Sequence, residues 1–126
     1  MTSASGSRIA AAEPLIQASL LGEAIDRGPV AVFVADENMR YIAVNAFAAH
    51  LLGYTREELL ELKMTDVARD SGVAERFAEV VAHRRRSGTE KLTRKDGAEI
   101  ELGYLSSETT IAGMAVYIAV MWPADA

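Results

Sequence analysis

The amino-acid sequence predicts an α+β domain, because extended and helical patterns are grouped along the chain instead of alternating one by one. A hairpin of two short extended runs, residues 30–35 and 40–44, comes first. Three or four short helical segments follow it, and a meander of three further extended runs closes the chain. An amphipathic helix precedes the hairpin. This order predicts a sheet with its helices inserted between two groups of strands.

Composition and charge narrow the class of protein. The chain has 126 residues, half of them hydrophobic and 25% charged, which is typical of one globular domain with a sizeable core. Its net charge of −5 disfavours direct contact with nucleic acid, because phosphate is also anionic. The absence of cysteine excludes disulfides and thiolate chemistry. No apolar run approaches the roughly 20 residues of a membrane span, so we expect no membrane contact and a cytoplasmic location.

The first 28 residues divide into a tail and a helix. Residues 1–12 are rich in Ser and Ala, and we expect a disordered tail there. Residues 13–28 predict a flanking helix that begins near Pro14 and ends at Gly28. Its apolar face must be covered either by the sheet of the same domain or by the same helix of a second copy. The residues of that face are Ala18, Leu21 and Ile25.

The segment after the hairpin carries strong helix signals. Asn45 is a good N-cap for a short helix that ends at Gly53. Thr55 and Glu58 have the spacing of a capping box, so a second helix begins at once. A further helical turn is expected near Thr65, before the chain breaks at residues 70–72.

The second half predicts one long helix and the meander. The helix runs from about residue 73 to residue 86, with its arginines in the last turn, and ends at Gly88. Its inward face is predicted to carry Val73, Phe77, Val80 and Val81. Extended runs at 89–93 and 100–105 join at the turn residues 96–97. The run 114–122 is nearly all apolar, so we expect a central strand covered on both faces.

Residues 45–62 resemble the PAS domain family, whose members commonly carry an asparagine, seven residues, Gly-Tyr, and then Ser or Thr, any residue, and Glu-Glu-Leu. The matching residues are Asn45, Gly53, Tyr54, Thr55, Glu57, Glu58 and Leu59. The resemblance implies a PAS domain over residues 29–123, in which five antiparallel strands curl around the helices and leave a pocket. It also implies a dimer interface on the flanking helix. A further implied contact is an ion pair between Lys95 and Glu57, Glu58 or Glu61, which would contribute at most ~1 kcal/mol if it is exposed.

Cofactor chemistry is restricted by the same resemblance. Flavin-binding relatives use a cysteine whose position falls on Met64, and a thioether cannot form the covalent adduct. The asparagines that bind the flavin ring in those relatives correspond to Leu92 and Leu102, which are both apolar. Haem-binding relatives use an axial histidine, but His83 lies in a polar run, and His50 is expected to be partly buried and hydrogen-bonded. We therefore predict no flavin adduct, and haem is not expected.

Catalysis has no support in the sequence. The chain has two histidines and no cysteine, so its sequence contains no set of residues with the spacing of a metal-binding motif. Glu57 and Glu61 share one helical face, and Glu58 serves as a cap, so these carboxylates are not opposed across a cleft. Ser106 and Ser107 have no accompanying base. The chain is therefore predicted not to be an enzyme.

The pocket implied by the resemblance is the main functional prediction. Alternation and helical periodicity place thirteen candidate side chains inward: Phe33, Ile42, Phe47, Leu51, Leu62, Met64, Val67, Phe77, Val81, Leu102, Tyr104, Tyr117 and Met121. They either line a cavity for a small apolar ligand or fill a closed core. Two tyrosine hydroxyls are available to orient a ligand.

The function predicted from these observations is a non-catalytic sensor or protein-interaction module of a signalling or transcription-regulatory protein. It is expected to form a homodimer through its flanking helix and sheet, and to bind a small apolar ligand. A dimerisation scaffold with a closed core is the alternative, and a haem-binding sensor is a third. The output domain, DNA-binding or kinase, is expected outside this chain, which is either a fragment or a free-standing module.

Overall fold

The structure is a computed structural model that describes residues 13–124, so the tail predicted at residues 1–12 lies outside the described residues. Over this range the helices are α1 (Pro14–Arg27), α2 (Ala46–Leu52), α3 (Arg56–Leu59), α4 (Met64–Val67) and α5 (Val73–His83). The strands are β1 (Ala31–Ala35), β2 (Tyr41–Val44), β3 (Arg85–Thr93), β4 (Glu99–Ile111) and β5 (Met114–Pro123). The predicted α+β order is confirmed.

The five strands form one antiparallel sheet in the order β2-β1-β5-β4-β3. β5 is central, as its apolar sequence predicts. Its inner face, with Tyr117, Ala119 and Met121, is buried beneath the helices. The expectation that both faces are covered is wrong for the described residues, because Trp122 on the outer face is 38% exposed. The largest fully buried side chains are Phe33, Leu52, Leu59, Leu92, Leu102 and Val67.

Asn45 joins three elements at one point. Its Oδ1 accepts hydrogen bonds from the backbone N–H of Ala48 and of Val32, both at 2.9 Å, so it caps α2 and holds β1. Its Nδ2 donates to the carbonyl oxygens of Ile25 at 2.6 Å and Val30 at 2.9 Å. The predicted N-cap is confirmed, and the same side chain also fixes the end of α1.

The boundary between α5 and β3 differs from the prediction. α5 ends at His83, and Arg84 adopts the left-handed conformation at φ 65°. Arg85 and Arg86 belong to β3, where they pair with Ser107 and Ser106 of β4. The arginines are therefore not in the last helical turn, and Gly88 lies within the strand. The long pairing with β4 extends β3 toward the helix, a non-local interaction that helix-ending signals do not report.

The predicted helix caps and the predicted ion pair are present in the loop region. Thr55 and Glu58 form both hydrogen bonds of a capping box. Lys95 Nζ donates to Glu58 Oε2, which selects Glu58 among the glutamates considered. This hydrogen bond lowers the pKa of the Glu58 carboxyl, and the pair holds the β3–β4 turn against α3.

Candidate functional site

A cavity of about 40 Å³ lies between α4, α5 and the inner face of the sheet. Six of the predicted pocket residues line it: Phe33, Met64, Phe77, Tyr104, Tyr117 and Met121. Two aromatic pairs contribute to its wall. The rings of Phe33 and Tyr41 are 5.4 Å apart, and those of Phe77 and Tyr117 meet edge to face at 4.9 Å. Three of these four rings belong to predicted pocket residues, and Tyr41 does not.

Seven other predicted pocket residues lie elsewhere. Five belong to or pack on the main core beside the cavity: Phe47, Leu51, Leu62, Val67 and Leu102. Ile42 and Val81 are 43% and 45% exposed, so their predicted inward orientation is wrong. A register shift between Val34 and Ala35 breaks the alternation that placed Ile42 inward. Val81 lies past the edge of the helical face that Val73, Phe77 and Val80 bury.

An ion pair that the sequence patterns did not predict forms the polar side of the cavity. Arg76 on α5 donates from Nε at 3.1 Å and from Nη2 at 2.8 Å, both to Oε1 of Glu90 on β3. Arg76 Nη2 also donates to Asp70 Oδ2 at 2.8 Å. The Glu90 side chain is only 6% exposed. Strand alternation contains the signal for this, because Glu90 shares a face of β3 with Leu92, which is buried.

The pKa values of the two carboxyls in this cluster shift in opposite directions. Burial raises the pKa of the Glu90 carboxyl above its usual value of 4.5, and the Arg76 guanidinium opposes that rise. The more exposed Asp70 carboxyl behaves oppositely, because the hydrogen bond from Arg76 lowers its pKa. Burial also raises the pKa of the Tyr41 phenol, and the nearby Glu90 charge raises that pKa further. The buried member of this cluster is thus the carboxylate that lines the cavity.

Tyr104 carries a buried hydroxyl with no hydrogen-bond partner among residues 13–124. The residue is 3% exposed and lies opposite Gly88 in the β3–β4 ladder. A Cβ at Gly88 would lie 3.7 Å from the Tyr104 hydroxyl, at ordinary van der Waals distance. The Arg86 guanidinium lies 5.8 Å from the centre of the Tyr104 ring and pairs with Glu79 of α5. Tyr104 is therefore enclosed, and its polar atom is buried without a partner among the described residues.

A sequence model of the family described as PAS domain matches residues 29–120. The chain belongs to the PAS domain family. Domains of this family are generally sensory, non-catalytic modules of signalling proteins. The resemblance seen in residues 45–62 is thereby confirmed, and the five-stranded sheet is the fold that it implied. No match to this chain was found among curated proteins.

Solved structures share the PAS fold at low sequence identity. A PAS domain from a two-component sensor histidine kinase superposes with a TM-score of 0.77 at 14% identity, covering 88% of this chain and 99% of the other. The PAS domain of an HTR-like protein from Haloarcula marismortui gives 0.74 at 19% identity, covering 85% and 96%. A PAS domain of a LuxR-family transcriptional regulator from Burkholderia thailandensis, in complex with ethanol, gives 0.67 at 14% identity, covering 83% and 97%.

The residues at the positions that the resemblance assigns to cofactor ligands lie in different surroundings. Met64, where flavin-binding members have cysteine, lines the cavity. His83 is exposed, as predicted, and His50 is exposed too, which corrects the expectation of a partly buried residue. Among the described residues, no group of three or more His, Cys, Asp or Glu side chains has the arrangement of a metal site. The same part of the chain contains no helix long and apolar enough to cross a membrane.

Proposed function

We propose that this PAS domain is a non-catalytic sensor that binds a small molecule in the cavity beneath α5. The observation that carries the proposal is the Tyr104 hydroxyl, which lacks a partner within the described part of the chain although it is buried. An unsatisfied buried polar group costs about 1–3 kcal/mol. Proteins generally satisfy such a group with water or a ligand. The ethanol complex of the Burkholderia thailandensis PAS domain supports a small-molecule site in this fold.

Native mass spectrometry of the protein purified from cells tests the sensor function. Spectra recorded under native and denaturing conditions are compared for the same sample. We expect an additional non-covalent mass of small-molecule size that disappears on denaturation. A native mass equal to the bare chain or its multiples, together with no binding of any small probe to the cavity, would support the scaffold function instead.

The PAS domain also presents apolar surface that its own described residues leave open. In α1, every residue of the predicted interface, Ala18, Leu21 and Ile25, is exposed, and Leu21 is 66% exposed. The outer sheet face, which we define as Val32, Val34, Ile118, Val120 and Trp122, is half-buried or exposed. A crevice between Ile25 and the β1 residues Val32 and Val34 makes the two surfaces continuous. We propose that a second copy of the chain covers both.

A charge on α1 should break this dimer. Leu21→Glu places a carboxylate in the proposed interface, where desolvation is unfavourable, so we expect a monomer by size-exclusion chromatography with light scattering. Ser19→Glu adds the same charge to the same helix outside the predicted apolar face and should remain dimeric. A wild-type chain that is monomeric at high micromolar concentration would refute the proposal, as would a Leu21→Glu variant that still dimerises.

The output of this sensor is proposed to lie in a separate or fused domain outside the chain. Two of the structural relatives come from a sensor histidine kinase and from a LuxR-family transcriptional regulator. Both types of output domain, kinase and DNA-binding, therefore remain candidates. We propose a cytoplasmic location. We also propose no direct contact with nucleic acid, because the chain has a net charge of −5 and phosphate is anionic.

A further inference from the structure

We propose that β3, at one edge of the sheet, binds an extended acidic peptide as an additional strand. Among the described residues β3 pairs with β4 alone, so its other side has no strand neighbour. An edge strand of this kind can accept another chain through its unpaired backbone groups. The site is two strands away from β1 and requires no ligand in the cavity, so it is independent of the proposed sensing function.

Two hydrogen bonds fix which backbone groups of β3 point toward β4. The Arg84 carbonyl oxygen accepts a bond from the Glu108 N–H at 3.0 Å, and the Arg94 N–H donates to the Ala98 carbonyl oxygen at 2.8 Å. The register between the two strands runs along all of β3 without a shift. Because residues that bond to the neighbouring strand alternate along an antiparallel ladder, the even-numbered residues of β3 bond to β4.

The odd-numbered residues of β3 therefore direct their N–H and C=O groups away from the sheet. A bond on the far side of β4 agrees with this assignment. The Ala124 N–H donates to the Glu101 carbonyl oxygen at 3.2 Å, so Glu101 bonds toward β5 and not toward Lys91, its partner in β3. We define the exposed odd-numbered residues as the outward row: Arg85, Ser87, Thr89 and Lys91. Within residues 13–124, no hydrogen bond reaches their outward backbone groups.

The side chains of the outward row place a cation at each end. Arg85 and Lys91 are six residues apart on the outer face of β3, with Ser87 and Thr89 between them. Neither cation forms an ion pair with another described residue. Glu101 lies opposite Lys91 in the β4 register without closing such a pair. The row therefore offers two positive charges together with alternating backbone donors and acceptors.

The inner face of β3 leaves no charge unpaired. Arg86 pairs with Glu79, and Glu90 pairs with Arg76. The unpaired charges of this strand are thus both positive and both on its outer face. Two carboxylates six residues apart on an added strand would lie opposite them, and cross-strand pairs of opposite charge are stabilising. The partner that fits is an extended peptide with an acidic residue at each end of one face and uncharged residues between them.

Two other occupants fit this edge less well. The outward row of a second copy, continuing the sheet, would add two more cations and no carboxylate, and like charges placed across strands are destabilising. A single-stranded nucleic acid offers phosphates to the cations. Phosphate oxygens only accept hydrogen bonds, however, so the outward carbonyl oxygens of β3 would stay unpaired.

Amide NMR of the full chain with synthetic peptides tests the proposal. The probe is the end-blocked peptide TEVTVTVET, whose two glutamates are six residues apart on one face, and TKVTVTVKT is its cationic counterpart. We expect the acidic peptide to shift the amides of Ser87, Thr89 and Lys91 saturably and to slow their hydrogen exchange. The Gly88 and Glu90 amides should be protected already in the free protein, because they bond to β4. The cationic peptide should bind about fivefold or more less tightly.

Substitutions separate the backbone pairing from the charges. Thr89→Pro removes an outward N–H and no bond to β4, so we expect the fold to persist and peptide binding to be lost. Thr89→Ala keeps the N–H and should bind like the wild type. Arg85→Glu combined with Lys91→Glu should reverse the preference in favour of the cationic peptide. The same reversals at Arg40 and Lys63, exposed residues beside β2 at the other edge of the sheet, should leave the preference unchanged.

Several outcomes would overturn the proposal. One is the absence of saturable binding by the acidic peptide, and another is binding that leaves the amides of the outward row unshifted. Slow exchange of those amides in the free protein would show that a second copy, or residues outside 13–124, already covers the edge. Tighter binding of a single-stranded oligonucleotide to the same amides would replace the peptide with nucleic acid. Retention of the acidic preference after both charge reversals would contradict the role of the two cations.

Discussion

Asn45→Ala is expected to lower the free energy of unfolding by roughly 3–4 kcal/mol, because the substitution removes an N-cap and three further hydrogen bonds at once. The four partners are backbone groups of Ala48, Val32, Ile25 and Val30. Asn45 is 5% exposed, so water replaces these bonds poorly. Loss of the side chain therefore weakens the attachment of α1 as well as the start of α2.

Urea denaturation followed by circular dichroism measures this effect. Asn38→Ala, at an exposed position of the β1–β2 turn, is the matched control and should change stability by less than about 0.5 kcal/mol. A loss below about 1 kcal/mol for Asn45→Ala would mean that capping alone operates there. The connection between α1 and the sheet would then have to be carried by Asp26, which pairs with Arg56 and accepts a bond from the Ala46 N–H.

Arg76→Met should produce the second large effect, a loss of about 2–3 kcal/mol at neutral pH. The substitution leaves the Glu90 carboxylate buried without its counter-ion, a change that costs 3–5 kcal/mol in fully buried pairs. Solvent screening reduces the figure here because the Arg76 side chain is 23% exposed. The loss should shrink as the pH falls, since a protonated Glu90 needs no counter-ion.

The sign of this pH dependence follows from the direction of the pKa shift. The pKa of Glu90 is already raised by burial in the folded state, and removal of Arg76 raises it further. Between the usual value of 4.5 and the raised folded pKa, the folded state binds more protons than the unfolded state. Stability therefore increases as the pH falls through that window.

A double variant provides the control for this prediction. Arg76→Met with Glu90→Leu removes both charges and should recover most of the lost stability, because an apolar pair of similar volume often replaces a buried ion pair without cost. The measurement is urea denaturation at pH 5 and pH 7. An equal loss for Arg76→Met at both pH values would show that Glu90 stays ionised and solvated, and would contradict its burial in the cavity wall.

Local signals in the sequence predicted local structure well. The Asn45 cap, the Thr55–Glu58 capping box and the turn at residues 96–97 all depend on residues a few positions apart, and all are present. The central place of β5 follows from an apolar run that no edge strand would carry. These features define the fold, which is why the PAS resemblance could be recognised from residues 45–62.

Non-local pairing decided the features that the sequence did not predict. β3 begins at Arg85 because it pairs with a long β4, and Ile42 is exposed because the β1–β2 register shifts. Glu90 was missed for a similar reason, since a charged residue in a strand is usually solvated and its partner Arg76 lies 14 residues away on α5. The polar part of the cavity therefore depends on contacts between elements, which periodicity does not reveal.

The central claim is the proposed coupling between a ligand in the cavity and the surface on which we propose that a second copy docks. β5 connects the two, because Met121 lines the cavity while its neighbours Val120 and Trp122 belong to the outer sheet face. The most direct test compares the affinity of the cavity for xenon in the wild-type chain, proposed to be a dimer, with that in the Leu21→Glu variant, measured by NMR of the Met64 and Met121 methyl groups, which line the cavity. Linkage requires any effect of ligand on dimerisation to appear equally in ligand affinity. We predict a difference of about fivefold or more, and equal affinities would contradict the coupling.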